Sequence, residues 1–236
     1  MDLPGSQSRP AVPGSLTIKT RVGYESESEF SDLLDLYADL PIDGIAIHGR
    51  TVREKYQSEV HTAEIARAVE RLSCPVHANG SIVNVATALS MIQHTNADGL
   101  MIGRGAIRNP WLFRQVHEAL SDQPVYRPTL ADQFRYIEDL YEELAETAWK
   151  FEEVKHVQRM KKFMNYIASG IGEGNFSREI RRVNQGREFG EVCNRYLSGS
   201  GDLPDDPNED GKLFCGFRAL TIPEPVPREV DRVNIP

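Results

Sequence analysis

The segment Asp98-Gly99-Leu100-Met101-Ile102-Gly103-Arg104-Gly105-Ala106, closely followed by Asn109-Pro110-Trp111, joins a short apolar run to Gly-Arg-Gly. Glycines at the end of a strand let backbone N–H groups approach an anion, and an arginine fork can grip a phosphate from two directions. The same residues are compatible with a tight strand-to-helix turn that carries an incidental surface arginine. The neighbouring segments are needed to choose between these two interpretations.

Three earlier segments, residues 16–21, 44–50 and 75–81, repeat the arrangement of a short apolar run that ends in polar or glycine residues. Such runs are typical of strands that are buried on both faces. Amphipathic helix candidates lie between them, at residues 27–40, 62–72 and 84–94. Alternating strands and helices predict a parallel sheet, and such folds place their chemistry at the carboxyl ends of the strands.

Four ordered motifs from about residue 12 to residue 118 resemble the flavin barrel of the tRNA-dihydrouridine synthases. The matching residues are Ile18-Lys19-Thr20-Arg21-Val22-Gly23-Tyr24, Ile47-His48-Gly49-Arg50-Thr51 with Tyr56, Ala78-Asn79-Gly80-Ser81-Ile82, and Met101-Ile102-Gly103-Arg104-Gly105. This resemblance implies a (β/α)8 barrel that carries FMN, followed by a small helical domain. It also implies an oxidoreductase that uses NADPH to reduce uridine in tRNA to 5,6-dihydrouridine.

The resemblance covers only the fifth to eighth strands of such a barrel. We therefore expect an α/β fold made of the C-terminal half (the last four β/α units) of a TIM barrel, then a small all-helical domain and a disordered tail. The expected boundaries are an irregular lead-in at 1–14, the partial FMN-binding barrel at 15–124, a helical tRNA-binding domain at 125–198 and the tail at 199–236. The segment that carries the family's catalytic cysteine has no counterpart, which predicts a fragment, a misassigned start or a short protein that is inactive alone.

The resemblance also implies a role for each matching residue. Lys19 would donate to the pyrimidine edge of the flavin, His48 would contact FMN, and Arg50 and Tyr56 would shape the substrate side. The turn formed by Asn79, Gly80 and Ser81 would approach the ribityl phosphate, with Ser81 standing where the family usually has Asp or Glu. Gly103 and Arg104 would hold the phosphate itself.

Charge is unevenly distributed along the second half of the chain, although the formal net charge of the whole is −8. Acidic residues outnumber basic ones by eight to two over residues 131–153, and the ratio is reversed over residues 154–187. The basic block, with interleaved aromatic residues, is compatible with an ordinary solvated helix pair or with a surface that contacts phosphates. The resemblance favours tRNA, and Lys161, Lys162, Arg181 and Arg182 are the candidate contacts.

The three cysteines, Cys74, Cys193 and Cys215, have no metal-like spacing, and we interpret Cys74 as a small buried residue with no catalytic role. The sequence contains neither an apolar run long enough to span a bilayer nor a signal-peptide pattern, so the cytoplasm is the expected location. Two alternatives remain open: a non-catalytic RNA-binding remnant, and another phosphate-binding FMN barrel oxidoreductase.

Overall fold

The computed structural model describes residues 14–56, 58–148 and 150–205. Its sheet has four parallel strands in the order β1-β2-β3-β4. The strands are β1 Thr17–Arg21, β2 Gly44–His48, β3 Val76–Asn79 and β4 Gly99–Leu100. Each predicted apolar run therefore forms a strand, and the expectation of an α/β fold with a parallel sheet is confirmed.

Helices alternate with these strands along the chain. They are α1 Phe30–Ala38, α2 Thr62–Arg71, α3 Val85–Thr95, α4 Arg104–Arg108 and α5 Leu112–Leu120, with a 3-10 turn at Glu27–Glu29. The start of α3 follows from a local interaction, because the Asn84 side chain accepts a hydrogen bond from the Thr87 backbone N–H at 2.9 Å. Such an N-cap satisfies a donor that the first helical turn would otherwise leave unpaired.

The first hydrophobic core lies between the sheet and its helices. Ile45, Ile47 and Val76 of the sheet are at most 1% exposed and pack with Phe30 of α1 and Ile65 of α2. Since side chains alternate between the faces of a strand, the residues next to these point to the opposite face.

That opposite face carries Thr17, Lys19 and His77, which are exposed. The sheet is thus covered by helices on one side, while its other side bears polar groups.

Four further helices follow the sheet in the described chain. They are α6 Leu130–Glu146, α7 Glu153–Ile167, α8 Asn175–Arg182 and α9 Gly186–Leu197, with a 3-10 turn at Gly172–Gly174. Thr129 caps α6, since its hydroxyl accepts from the Asp132 N–H at 3.2 Å. Buried residues of these helices, including Met160, Phe176 and Leu197, form a second hydrophobic core.

Arg108, at the end of α4, joins the two cores. Its side chain is 1% exposed and donates from Nε to the Ser169 carbonyl at 3.1 Å, from Nη1 to the Asp205 carbonyl at 2.9 Å and from Nη2 to the Pro204 carbonyl at 2.6 Å. Further contacts from α6 reach the same place, because Tyr136 Oη donates to the Ile107 carbonyl at 3.2 Å. One guanidinium therefore binds three carbonyl groups that lie far along the chain from it.

The packed part of the chain extends beyond residue 198, where we expected the tail to begin. The Leu130 N–H donates to the Gly201 carbonyl at 2.9 Å, the Leu203 N–H donates to the Pro128 carbonyl at 2.8 Å, and Leu203 is 7% exposed. Backbone pairing and the burial of Leu203 hold residues 201–203 against the start of α6, so these residues do not belong to a disordered tail. Residues 1–13 of the expected lead-in and residues 206–236 of the expected tail lie outside the described residues.

Replacement of Arg108 by leucine should lower the free energy of unfolding by about 2–4 kcal/mol, because carbonyl groups at the junction lose charged donors and the buried side chain changes shape. Chemical denaturation of the purified protein measures this change. Arg187→Leu is the matched control, since Arg187 is exposed and pairs with Glu191 across one helical turn. The control should change stability by less than about 1 kcal/mol. Equal losses in the two variants would contradict the role given to Arg108.

Candidate functional site

A cleft of about 410 Å³ lies at the carboxyl ends of the strands. Its volume is within the range of small-molecule sites. Residues of β1 and residues at or after the ends of β2, β3 and β4 line it, together with Tyr166 from α7. Of the residues expected at the cofactor or substrate, the structure brings eight to this cleft: Lys19, His48, Tyr56, Asn79, Gly80, Ser81, Gly103 and Arg104.

Strand register explains why residues from separate motifs meet here. Arg21 of β1 is aligned with His48 of β2, and His48 is aligned with Asn79 of β3. Lys19 lies two residues before Arg21 and therefore faces the same side of the sheet. The Asn79 side chain reaches the next strand end, where its amide donates to the Met101 carbonyl at 2.6 Å.

Positive charge dominates the cleft. Lys19, Arg21 and Arg104 line it, and none of the described lining residues is an aspartate or a glutamate. Cations collected without intervening carboxylates raise the local concentration of anions and favour their binding. The site is thus suited to an anionic ligand.

His48 is 6% exposed, and its Nδ1 atom has no hydrogen-bond partner in the described structure. Burial, followed by the charges of Arg21, Arg50, Lys19 and Arg104, lowers the pKa of His48 to about 3. The imidazole is therefore neutral near pH 7 and has one N–H donor and one acceptor nitrogen. A buried polar atom without a partner is costly, which indicates that a ligand could satisfy Nδ1 in this cleft.

Arg50 is not among the residues that line the cleft, although we expected it on the substrate side. Its side chain is 1% exposed and donates from Nε to the Ser58 carbonyl and from Nη2 to the Ser81 hydroxyl, both at 2.7 Å. Burial and the charge of Arg104 lower the pKa of Arg50 to about 10, so the guanidinium stays charged at neutral pH. Through these two hydrogen bonds, the buried Arg50 side chain connects the loop after β2 to the turn after β3.

The turn after β3 and the start of α4 form part of the wall of the cleft. Gly80 and Ser81 have φ values of +139° and +50°, so the backbone reverses sharply after Asn79. Gly105 packs against this turn, where an added Cβ would overlap the Ile82 carbonyl oxygen. Glycine at residue 105 is needed for this close approach. Gly103, by contrast, has open space on its Cβ side.

The basic residues predicted to contact tRNA lie outside the cleft. Lys161 and Lys162 belong to α7, and Arg181 and Arg182 end α8. Lys162, Arg181 and Arg182 are exposed, and Lys161 is half-buried with its Nζ 3.4 Å from Asn184 Oδ1. In the described structure none of the four forms an ion pair with a carboxylate.

Tyr166 is a lining residue that we did not place at the site from sequence. The aromatic residues of the basic block were open to either a core or a surface role, and the structure separates them: Phe176 is fully buried, whereas Tyr166 reaches the cleft. Its spacing of four residues from Lys162 places both on one side of α7. This spacing is the feature of the sequence that could have placed Tyr166 beside Lys162 on α7. It does not show that this side of the helix faces the cleft.

Cys74 lies just before β3, at the end of the strand opposite to the cleft, and packs at the edge of the first core. Burial raises the pKa of its thiol, which makes it a poorer proton donor. No cluster of three or more potential metal ligands occurs within the described ranges. In those ranges no helix combines the length and apolar character that crossing a bilayer requires.

Comparison with known proteins gives consistent matches. The model of the dihydrouridine synthase family matches residues 6–199. A probable tRNA-dihydrouridine synthase of Helicobacter pylori is 38% identical over 109 residues, which cover 46% of this chain and 33% of that protein. The tRNA-dihydrouridine synthase B of Pasteurella multocida is 33% identical over 136 residues, covering 57% of this chain and 41% of that protein.

A longer alignment exists with tRNA-dihydrouridine synthase B of Pseudomonas syringae pv. tomato, which is 28% identical over 201 residues, or 84% of this chain and 59% of that protein. Across these three relatives the chain thus spans between 33% and 59% of the relative's length. The family match covers the four strand ends, the cleft and the helices that follow. The chain therefore belongs to the dihydrouridine synthase family.

Proposed function

We propose that this chain is part of an FMN-dependent tRNA-dihydrouridine synthase and that its cleft holds the phosphate and one edge of the flavin. The observation that carries the proposal is a carboxylate-free cationic cleft beside a buried, neutral His48 whose Nδ1 has no partner. A phosphate dianion would compensate the charge, and a polar flavin edge would supply a partner for Nδ1.

In this proposal the sheet and α1–α5 are the last four units of a (β/α)8 barrel, and α6–α9 are a helical domain that binds tRNA. Two separate hydrophobic cores support the division. Thr17, Lys19 and His77 are exposed on the face of the sheet that the helices do not cover. Because parallel sheets are usually covered on both faces, the remaining strands of a barrel would enclose this face, which supports the proposed barrel.

The chain's own residues would act on the flavin in three ways. The chemistry that FMN would supply, when held by these residues, is hydride transfer between NADPH and the uracil ring of a tRNA uridine. Lys19 would stabilise the negative charge that develops at the pyrimidine edge on reduction. His48 would hold that edge through a hydrogen bond without adding a further charge, and Arg104 and the turn at Asn79–Ser81 would hold the phosphate.

The proposed activity can be tested in cells. Deleting the gene in its own host should remove dihydrouridine from at least one position of tRNA, and mass spectrometry of digested tRNA measures this loss. Restoring the gene should restore the modified nucleoside. An unchanged dihydrouridine content in the deletion strain would contradict the proposal.

Arg104→Ala should weaken FMN binding by about tenfold or more, because loss of a charge-assisted contact to phosphate costs about 1.5–3 kcal/mol. Quenching of flavin fluorescence during titration of the purified protein measures the affinity. Arg71→Ala is the matched control, since Arg71 is an exposed residue of α2 on the helical side of the sheet. Equal affinities for the Arg104 variant and the parent protein would remove Arg104 from the phosphate site.

The pH dependence of stability should report the neutral state of His48. The unfolded chain takes up this proton near the ordinary pKa of 6.5, whereas the folded chain resists protonation until about pH 3. Stability is therefore lost as pH falls below 6.5, on the order of 1 kcal/mol for each pH unit. In His48→Gln the free energy of unfolding should fall less steeply between pH 6.5 and pH 5. Parallel curves for the two proteins, measured by urea denaturation without flavin, would show that His48 is not held neutral.

Alanine substitution of four basic residues should weaken tRNA binding and reduce its dependence on salt. Each phosphate contact that is lost lowers the slope of log affinity against log salt by about 0.7–0.9. Filter binding with unmodified tRNA at several salt concentrations measures this slope. The residues to be substituted together are Lys161, Lys162, Arg181 and Arg182.

A control variant with the same change in net charge separates a specific surface from general electrostatics. Its four arginines lie on α2, α5 and α6, and each pairs with a carboxylate in the structure. The control should keep most of the parent's salt slope, and equal slopes in the two quadruple variants would argue against a specific surface on α7 and α8. The control residues are Arg67, Arg71, Arg114 and Arg135.

A further inference from the structure

Tyr56 brings two cations to one aromatic ring at the edge of the cleft. The Arg104 guanidinium carbon lies 4.1 Å from the centroid of the Tyr56 ring, and that of Arg21 lies 5.6 Å from it. The ring also meets His48 edge-on, with the two centroids 6.0 Å apart. Both guanidinium distances are within the range of cation–π attraction.

The loop that carries Tyr56 is fastened on both sides of it. Arg21 donates from Nη1 to the Thr51 carbonyl at 2.7 Å and to the Lys55 carbonyl at 3.3 Å. On the other side, Arg50 donates to the Ser58 carbonyl at 2.7 Å. The Arg21 bonds join the loop to β1, and the Arg50 bond closes the loop on itself, so the backbone on both sides of Tyr56 is held in place.

Stacking on this ring suits Arg104 for phosphate recognition. A guanidinium that lies over an aromatic face is contacted through its flat surface, so the ring sets the direction of the in-plane N–H groups that make bidentate contacts. The negative face of the ring also offsets the repulsion that Arg104 experiences from the other arginines at the site. Because the Arg104 side chain is already ordered, it loses less conformational entropy when an anion binds, and this preorganisation raises affinity.

We propose that Tyr56 is a positioning residue, which holds the Arg104 guanidinium in the orientation that receives the phosphate monoester of the cofactor. The inference rests on the proposed function, because it takes Arg104 as a phosphate ligand. It differs from the expectation that Tyr56 shapes the substrate side, since Tyr56 acts here through Arg104.

Comparison of FMN with riboflavin isolates the phosphate, because riboflavin carries the same ring system without it. Tyr56→Leu removes the aromatic face and should weaken FMN binding about five- to tenfold, within the range of partly desolvated cation–π contacts. The same substitution should leave riboflavin affinity unchanged. Tyr56→Phe keeps the face and should bind both flavins as the parent protein does.

A double-mutant cycle shows whether Tyr56 acts through Arg104. With Arg104→Ala already present, Tyr56→Leu should cause no further loss of FMN affinity. An additional loss would overturn the inference, as would equal weakening of FMN and riboflavin, which would mean that Tyr56 contacts the ring system. A Tyr56→Leu protein that binds FMN normally and tRNA poorly would also overturn it and place Tyr56 at the substrate.

The stack itself can be measured without ligand. Ring currents should shift the Arg104 side-chain protons upfield in the NMR spectrum of the flavin-free protein, and the shift should persist in Tyr56→Phe and vanish in Tyr56→Leu. Identical Arg104 resonances in the parent and the leucine variant would overturn the inference whatever the flavin affinity. If the stack is present but the parent protein does not bind FMN, the cleft of this chain is not a phosphate site by itself, and the phosphate role of Tyr56 is overturned, whereas the gene deletion tests the proposed activity separately.

Discussion

Arg21, His48 and Asn79 stand in one row because three parallel strands are paired in register, and the cleft depends on this alignment. Parallel pairing brings the carboxyl ends of all strands to one edge, so residues from motifs far apart in sequence become neighbours. A shift of one residue in any strand would turn its polar side chains toward the hydrophobic core. The same apolar residues that hold the register, such as Ile45 and Ile47, thus also fix the chemistry on the other face.

Convergence of the strand ends has an electrostatic cost, since it concentrates cations around His48. Burial of the ring, followed by the charge of these cations, keeps His48 neutral, and Arg50 remains charged although it is buried. Local contacts offset part of the repulsion: Arg50 binds a carbonyl and a hydroxyl, and Arg104 lies over the Tyr56 ring. The site is therefore prepared for an anion before one arrives, which is the usual way for binding sites to reduce the cost of reorganisation.

Local patterns in the sequence were sufficient to predict the four strands and the helices between them. Each of these depends on neighbours within a few residues. The position of Arg50 was not accessible in the same way, because its burial depends on Ser58 and Ser81, which belong to different loops. Tyr166 and Arg108 were missed for the same reason, since α7 meets the cleft, and residues 204–205 meet α4, only through tertiary packing. Periodicity shows which side of a helix is apolar, but it does not show which element that side will contact.

The three carbonyl groups bound by Arg108 have a consequence for the order of folding. Ser169, Pro204 and Asp205 follow Arg108 in the chain, so during synthesis the sheet and α1–α5 leave the ribosome long before their junction can close. The first core can begin to form early, because proteins tend to fold from the N-terminal side as they emerge. Arg108 then has to stay hydrated until the last of its partners is available. The junction can therefore close only after residue 205 has been synthesised, and because Leu203 belongs to the second core, completion of that core and closure of the junction are coupled.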